Sequence, residues 1–550
     1  MLAALSAGGF WWRASWIVNR LLRSWAATTM AQKSENVYRL SVGRIRFNIL
    51  LRRVAVDSIH VTTNRGINAA RLPPLANLRL AFHQCTISGV HLITLVRSGG
   101  LIAGSFGCRA VSAAVVVPRG VPDTLAAPRP ARRAFLVLQQ GLQLPSFAPR
   151  VRIARIDFPH VGLDFRLQRE AGEDARLTLE QLRWRMADLA IDPADMMAAA
   201  RPLFGRTVQL AAANFVAHPR NATVVRVGAL RASLSDSTVE LRGVGYAPAL
   251  SDAQFARSRP YRRDLIKTTV GRMAAEGIDV GAFVLGRGLR TRRLELDSLR
   301  LDITSDRRRP SNPTRQRHRT PQAWIADLDR TLSVDSVLVR NGEVVYREQR
   351  PGRARPGVFT FARLEAVAAN LSLLVGRRTS RDTMTLTVTT HIQNAGRLDV
   401  RFVTPLDAPQ FITSFRGTLG AMPATALNPF VQETFPLRIA NGRVVGISFR
   451  ATVANGVARG TITPRYHDLS VAVTRAGSGG ILGSGGVLGG AARGIASFVG
   501  NLTEVRANNP DDPEKAPRSG TIRHTFTSDE TLPAFLWGSV RDGLLAVVRK

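Results

Sequence analysis

Val54-Ala55-Val56-Asp57-Ser58-Ile59-His60-Val61 is an eight-residue unit that the chain repeats. It returns as Leu294-Glu295-Leu296-Asp297-Ser298-Leu299-Arg300-Leu301 and again as Leu332-Ser333-Val334-Asp335-Ser336-Val337-Leu338-Val339. A sequence of this composition gives well under one such match by accident. Its apolar residues fall two, then three, then two positions apart, so the alternation changes phase at the Asp-Ser pair. A bulge or tight bend in a β-strand does this. Asp and Ser suit such a kink because their short side chains bond nearby backbone groups left unpaired there. Each unit therefore reads as a strand that bends while keeping its apolar side chains toward one interior.

Looser strand patterns lie between the repeats, among them Val151-Arg152-Ile153, Val161 to Leu167 and Thr238-Val239-Glu240-Leu241. One such unit cannot bury its apolar face alone, so neighbours must stack. The fold class expected is mainly β: an elongated, repetitive, twisted β-sheet forming an open groove, with a few short helices and helical termini. Short helices are expected from Asp192-Pro193 to Ala200, over 260–276 and over 321–330. The basic, proline-punctuated run from Arg307 to Pro313 reads as a linker or loop. Beyond it, Met384, Leu386, Val388 and Ile392 keep period two, and Asn341-Gly342, Asn441-Gly442 and Asn455-Gly456 read as hairpin turns. A short helix is expected near 421–435, and an amphipathic segment from Leu532 to Val548. The segments expected are thus an N-terminal helix over 1–36, a repetitive β-groove over 37–306, a linker over 307–322, a β region over 323–475, and a glycine-rich loop, polar stretch and closing helix over 476–550.

Composition narrows the function classes. The 550 residues carry a net charge of +36, with 45% hydrophobic and only 6% aromatic residues. Of the 76 basic residues only Lys33, Lys267, Lys515 and Lys550 are lysine, a skew that GC-rich coding alone produces. The arginines are spread along the chain without interleaved stacking aromatics, so no nucleic-acid partner is expected. They read as solvated charge on strand edges and exposed faces, where charge suppresses aggregation. A secondary role at anionic lipid head groups stays open.

At the N-terminus, Trp11, Ala14, Val18, Leu21, Leu22 and Trp25 share one helical face, with Arg13, Arg20 and Arg23 on the opposite arc. Tryptophan with arginine around an aliphatic stripe suits an interfacial helix, so Trp11, Val18, Leu21, Leu22 and Trp25 are the candidate membrane-interface residues. A helix packed on the first sheet is the alternative. A third reading puts the true start upstream, with an anchor helix before Met1. Cys85 and Cys108 belong to no metal-ligand pattern; a disulfide and two buried thiols both stay open.

Catalytic chemistry finds no foothold. The glycine-rich run from Gly477 to Gly486 lacks a following Gly-Lys-Ser/Thr, the nine histidines form no HxxxH pair, and no GxSxG elbow occurs. No catalytic residue, cofactor or metal site is expected, and the chain is read as a non-enzyme.

Several stretches resemble the AsmA-like family of bacterial envelope proteins. Tyr38-Arg39-Leu40-Ser41-Val42-Gly43, with the unit after it and Cys85-Thr86-Ile87-Ser88-Gly89-Val90, is similar to that family's mature start. Gly417-Thr418-Leu419, Leu427-Asn428-Pro429, Asn441-Gly442-Arg443-Val444 and Tyr466-His467-Asp468-Leu469 resemble its C-terminal region, and Phe535 to Leu544 its closing helix. The resemblance implies an inner-membrane-associated protein with a periplasmic β-groove. Its partners would be phospholipid acyl chains, the inner-membrane surface and other envelope proteins. The implied function is non-catalytic: binding or conducting phospholipid between inner and outer membranes, or supporting outer-membrane assembly. The alternative is a structural or adhesive β protein that binds envelope proteins through exposed strands.

Overall fold

Long apolar alternation becomes long strands. The structure is a computed structural model and describes residues 36–48, 50–64, 66–67, 77–91, 94, 100–117, 150–167, 175–191, 205–220, 223–258, 260–279, 288–310, 331–373, 383–406, 411–473, 505–526 and 532–549. The first ten strands are β1 (Tyr38–Val42), β2 (Ile45–Asn48), β3 (Arg53–Thr63), β4 (Asn77–Ser88), β5 (Leu101–Val117), β6 (Val151–Leu167), β7 (Ala175–Ile191), β8 (Thr207–Arg220), β9 (Thr223–Ser233) and β10 (Thr238–Pro248). Then come α1 (Asp252–Arg257), β11 (Leu265–Glu276), β12 (Gly288–Asp306), β13 (Thr331–Gln349), β14 (Gly357–Leu373), β15 (Thr383–Ile392), β16 (Gly396–Pro405), β17 (Thr413–Leu419) and β18 (Met422–Pro423). A 3-10 turn at Ala424–Leu427 leads into α2 (Asn428–Thr434), followed by β19 (Leu437–Ala454), β20 (Val457–Val473), β21 (Gly520–Thr525) and α3 (Leu532–Val548).

The 21 strands belong to one mixed sheet that does not close on itself, as the repetitive β pattern predicts. The chain divides into two compact units, Met1–Ala249 with Ala274–Arg290, and Leu250–Met273 with Thr291–Lys550. In the first unit β1 and β2 both pair with β3, and β3 to β10 then pair in chain order. β5 and β6 run parallel and the other pairs antiparallel. In the second, β13 to β17 pair in order, β19 follows β17, and β20 and β21 complete the series.

The phase change is present and far more general than its Asp-Ser marker. Apolar positions step by three within every strand from β3 to β10. The steps run from Val56 to Ile59, Phe82 to Cys85, Cys108 to Val111, Phe158 to Val161, Leu179 to Leu182, Ala212 to Phe215, Val227 to Leu230 and Leu241 to Val244. A residue in the left-handed region lets a strand advance one position without flipping its side chain. Gln84, Asn214 and Gly243 take that role at their steps, with φ of 50°, 49° and 60°. In the second unit Ser298 does so inside the repeat itself, at φ 57°. The Asp-Ser side chains divide their work. Asp57 accepts from the Arg46 guanidinium at 2.6 Å and Asp297 from Asn341 Nδ2 at 2.9 Å, while only Ser336 reaches a backbone carbonyl, that of Arg292 at 3.4 Å. The Asn341 hydrogen bond holds the Asp297 carboxyl below its usual range.

Three local expectations need correction. The helix expected over 260–276 is strand β11 from Leu265 on, where Thr268, Thr269 and Val270 favour a pleated backbone. The helix in this region is α1, whose start is set by a reciprocal capping box between Ser251 and Gln254. Asn341-Gly342 and Asn441-Gly442 are not turns; both lie inside strands, at register shifts of β13 and β19. Asn341 is held there because its N–H donates to Glu365 Oε1 at 3.0 Å and its side chain to Asp297. Asn455-Gly456 does turn β19 into β20, with φ of 52° and 71°, the two positive values a type I′ turn demands. The expected helix near 421–435 and the closing helix are α2 and α3. Trp11, Val18, Leu21, Leu22 and Trp25, the helices expected at 192–200 and 321–330, and the glycine-rich run lie outside the described residues. Among the described residues no helix is long and apolar enough to cross a membrane.

Candidate functional site

Paired residues on neighbouring strands point to the same side of a sheet, so following one register across the sheet reads out what a face presents. In the first unit the row Ile59, Phe82, Val111, Val161, Leu182, Ala212, Leu230, Leu241 crosses eight strands without one polar member. On one side of it runs Val54, Ile87, Phe106, Ile156, Met186, Val208. On the other runs Leu78, Val115, Phe165, Leu177, Ala217, Val225, Tyr246. Seven strand spacings of about 4.8 Å make the central row roughly 34 Å long.

The opposite face is polar. Asp157 there faces Arg185 and also lies 3.9 Å from Arg183, while Asp164 pairs with Arg176 and Asp188 with Arg206. These pairs are exposed and add little stability individually. Their effect is to keep one face wet while the other stays apolar.

Several row side chains are well buried by their neighbours, including Val111, Ile156, Val161, Met186 and Val208. Phe82, Leu182, Trp184 and Leu189 are only partly buried against that cluster. Phe158 packs edge-on to both Phe106 and Trp184, at 5.5 and 6.3 Å between ring centroids. Every named element wholly inside this unit is a strand of the same sheet.

Cys85 and Cys108 stand directly opposite each other on β4 and β5, within this face, and form a disulfide. Both are almost fully buried. Of the two states the sequence left open, the structure therefore has the bonded one. Closing a loop of this size restricts the unfolded chain by about 3 kcal/mol. The variant Cys85→Ala/Cys108→Ala is expected to lose that amount, read as a lower urea midpoint that dithiothreitol no longer shifts. Equal midpoints for the variant and the oxidised parent would rule the stabilisation out.

The second unit has apolar rows of its own, and helices pack on parts of the sheet there. Val337, Ala368, Leu386, Phe402, Phe415, Ala451, Gly460 and Ile522 share one register, and Val339, Ala366, Val388, Val400, Gly417, Phe449, Ile462 and Gly520 share the next. α3 lies over their far end. A Cβ on Gly520 would collide with the Gly543 carbonyl, so the helix approaches the sheet through glycine on both sides. Phe535 is fully buried among Phe411, His524 and Phe526.

α2 covers the region around Tyr346 and Phe359, whose rings lie 6.2 and 5.5 Å from Phe430. Close by is Glu348, only 4% exposed. It accepts from Tyr346 Oη at 2.8 Å and from Arg350 Nε at 2.7 Å, with Arg307 Nε at 3.4 Å. Burial pushes the Glu348 carboxyl up, yet the Arg350 and Arg307 charges and the two hydrogen bonds outweigh it and hold the group below the usual carboxylate range. Burial beside this anion pushes the Tyr346 phenol up to about 12, so it stays a donor. The cluster is a buried, mutually neutralised support for the fold. Tyr346, Glu348 and Arg350 alternate along one stretch and so share a side of the sheet, while Arg307 comes from the end of β12.

Among the described residues no three His, Cys, Asp or Glu side chains converge as metal ligands. No protein-family model and no curated protein matches the chain.

Proposed function

We propose that the apolar face of the first unit binds lipid acyl chains, and that the protein is a non-catalytic component of the bacterial envelope that holds or conducts phospholipid. The observation that carries this reading is the eight-strand row from Ile59 to Leu241, flanked by further apolar rows and backed by a polar face. Its length of roughly 34 Å is about twice the half-thickness of a bilayer's hydrocarbon core, enough for acyl chains lying along it. At about 0.8 kcal/mol per buried CH₂, ten methylenes supply about 8 kcal/mol before the cost of immobilising the chain.

Two further points support the reading. The Cys85–Cys108 disulfide suits an oxidising compartment such as the periplasm. The resemblance of the chain's start, C-terminal region and closing helix to AsmA-like proteins suggests the same place and cargo. On this reading the body is periplasmic and works beside the inner membrane, toward the outer membrane. The adhesive alternative works through exposed strands and leaves these apolar rows without a role.

The test is mass spectrometry of lipids co-purifying with the detergent-free protein. Phospholipid is expected well above the level carried by a control protein of similar charge. Leu182→Glu/Leu230→Glu, two half-buried positions on the central row, is expected to lower it at least ten-fold with an unchanged circular dichroism spectrum. Recovery no greater than the control's would sink the proposal.

A further inference from the structure

Many arginines in the second unit pair with carboxylates. Arg300 pairs with Asp302 and Glu343, Arg347 with Asp302, Arg397 with Asp399, Arg518 with Asp511, and Arg350 with Glu348. One cluster instead sets arginines against each other. Arg401 on β16 faces Arg416 on β17, which faces Arg450 on β19, so three like charges stand directly opposite one another on successive strands. In the adjoining register Arg459 on β20 faces Arg523 on β21. All five are exposed and project from one face of the sheet, the face opposite the rows that α3 covers.

None of the five has a carboxylate partner among the described residues. Arg450 reaches only the Thr461 hydroxyl, at 3.4 Å. The nearest acid in register, Asp399, is already bound by Arg397 and Thr389. Like charges directly opposite on paired strands are destabilising, and here that pairing is made three times over. The sheet carries these facing charges at a cost to itself, and an external anion would remove the cost.

The geometry selects the anion. Guanidinium forks favour phosphate oxygens, and Ser414, Thr452, Thr461 and Thr521 place hydroxyl donors between them on the same face. Five strands at about 4.8 Å spacing spread the charges over roughly 19 Å in two registers. A shallow cavity of about 520 Å³ lies across Arg401, Arg416, Arg450 and Arg459. An exposed two-dimensional array of this kind suits a surface of many phosphates better than one small ion, which would need an enclosed site. The outward side chains of these registers include no aromatic ring, so bases of a single strand would find nothing to stack on.

We propose that this face of the second unit docks on a bilayer surface through its anionic phospholipid head groups. The site is separate from the apolar face of the first unit and stands whether or not that face carries acyl chains.

The experiment is flotation of the full chain with phosphatidylcholine vesicles, with and without phosphatidylglycerol. Arg416→Gln/Arg450→Gln/Arg459→Gln is compared with Arg79→Gln/Arg152→Gln/Arg226→Gln, which removes the same charge from exposed positions elsewhere. At roughly five-fold per arginine, the first variant is expected to bind phosphatidylglycerol vesicles on the order of 100-fold more weakly. The control should change less than about five-fold, one arginine's worth. The first variant should also melt no lower than the parent, because repulsion has been relieved. Equal losses in the two variants would mean that net charge alone drives binding, and would overturn the proposal. So would unchanged vesicle binding in the first variant, or a loss confined to inorganic polyphosphate or duplex DNA offered in place of vesicles.

Discussion

Phe535→Ala is expected to lower the stability of the second unit by about 3–5 kcal/mol, the usual cost of emptying a fully buried aromatic site. The ring has no exposed surface, and it packs on Phe411, just before β17, and on His524 and Phe526, at the end of β21. α3 spans 17 residues, and a helix of this size in a protein takes most of its stability from tertiary packing of its apolar face. Its stability therefore comes from docking. The expected signature is loss of amide protection across Leu532–Val548, together with a lower denaturant midpoint. Trp537→Ala provides the contrast, since that ring is 44% exposed and touches Phe359 from the side; its cost should be about 1 kcal/mol. If the two variants behave alike, Phe535 is not the anchor.

Glu348→Gln is expected to cost about as much, 3–5 kcal/mol, by a different route. The amide keeps the shape of the carboxylate but strips the counter-charge from Arg350 and Arg307 beside it. A buried pair broken on one side is penalised in this range because the surviving charge stays desolvated. The pH dependence follows from the direction of the shift. A carboxyl whose folded pKa lies below its unfolded value contributes stability that is fully present above about pH 4.3 and is lost as pH falls through the folded value. Urea midpoints measured from neutral pH down to about pH 3 should therefore fall more steeply in the parent than in the variant. Parallel curves would remove Glu348 from the account of acid sensitivity.

The repeat was legible because Asp and Ser happen to mark it in β3, β12 and β13. In β4, β5, β6 and β8 the same three-residue step is filled by His83-Gln84, Arg109-Ala110, Pro159-His160 and Ala213-Asn214. Nothing in those dipeptides announces a phase change. Only the apolar spacing carries it, and two-then-three spacing is easily taken for noise or for a helix. The Asn-Gly pairs show the converse. At Asn455 the dipeptide alone decides the turn, but at Asn341 the outcome depends on Glu365 and Asp297, which are brought beside it by strand pairing.

The candidate sites divide in the same way. Apolar faces could be foreseen from alternation within strands. The arginine cluster could not, because Arg401, Arg416 and Arg450 are unremarkable members of a chain with arginine throughout, until register sets them opposite each other. Cys85 and Cys108 were an undecided pair for the same reason, since two cysteines 23 residues apart say nothing about strand register.

The three-residue step also constrains how such a protein can change size. A hairpin inserted anywhere between β3 and β10 extends each apolar row by two strands, about 10 Å, but only if both new strands carry the step at the matching level. A plain alternating strand would keep one half of its apolar side chains in line and turn the other half toward water. Growth by copying an existing hairpin satisfies the requirement automatically, whereas recruiting an unrelated strand does not. The step thus acts as a template: lineages that lengthen or shorten this face should do so in whole duplicated hairpins, and the extra strands should inherit the spacing even where every side chain at the step has since been replaced.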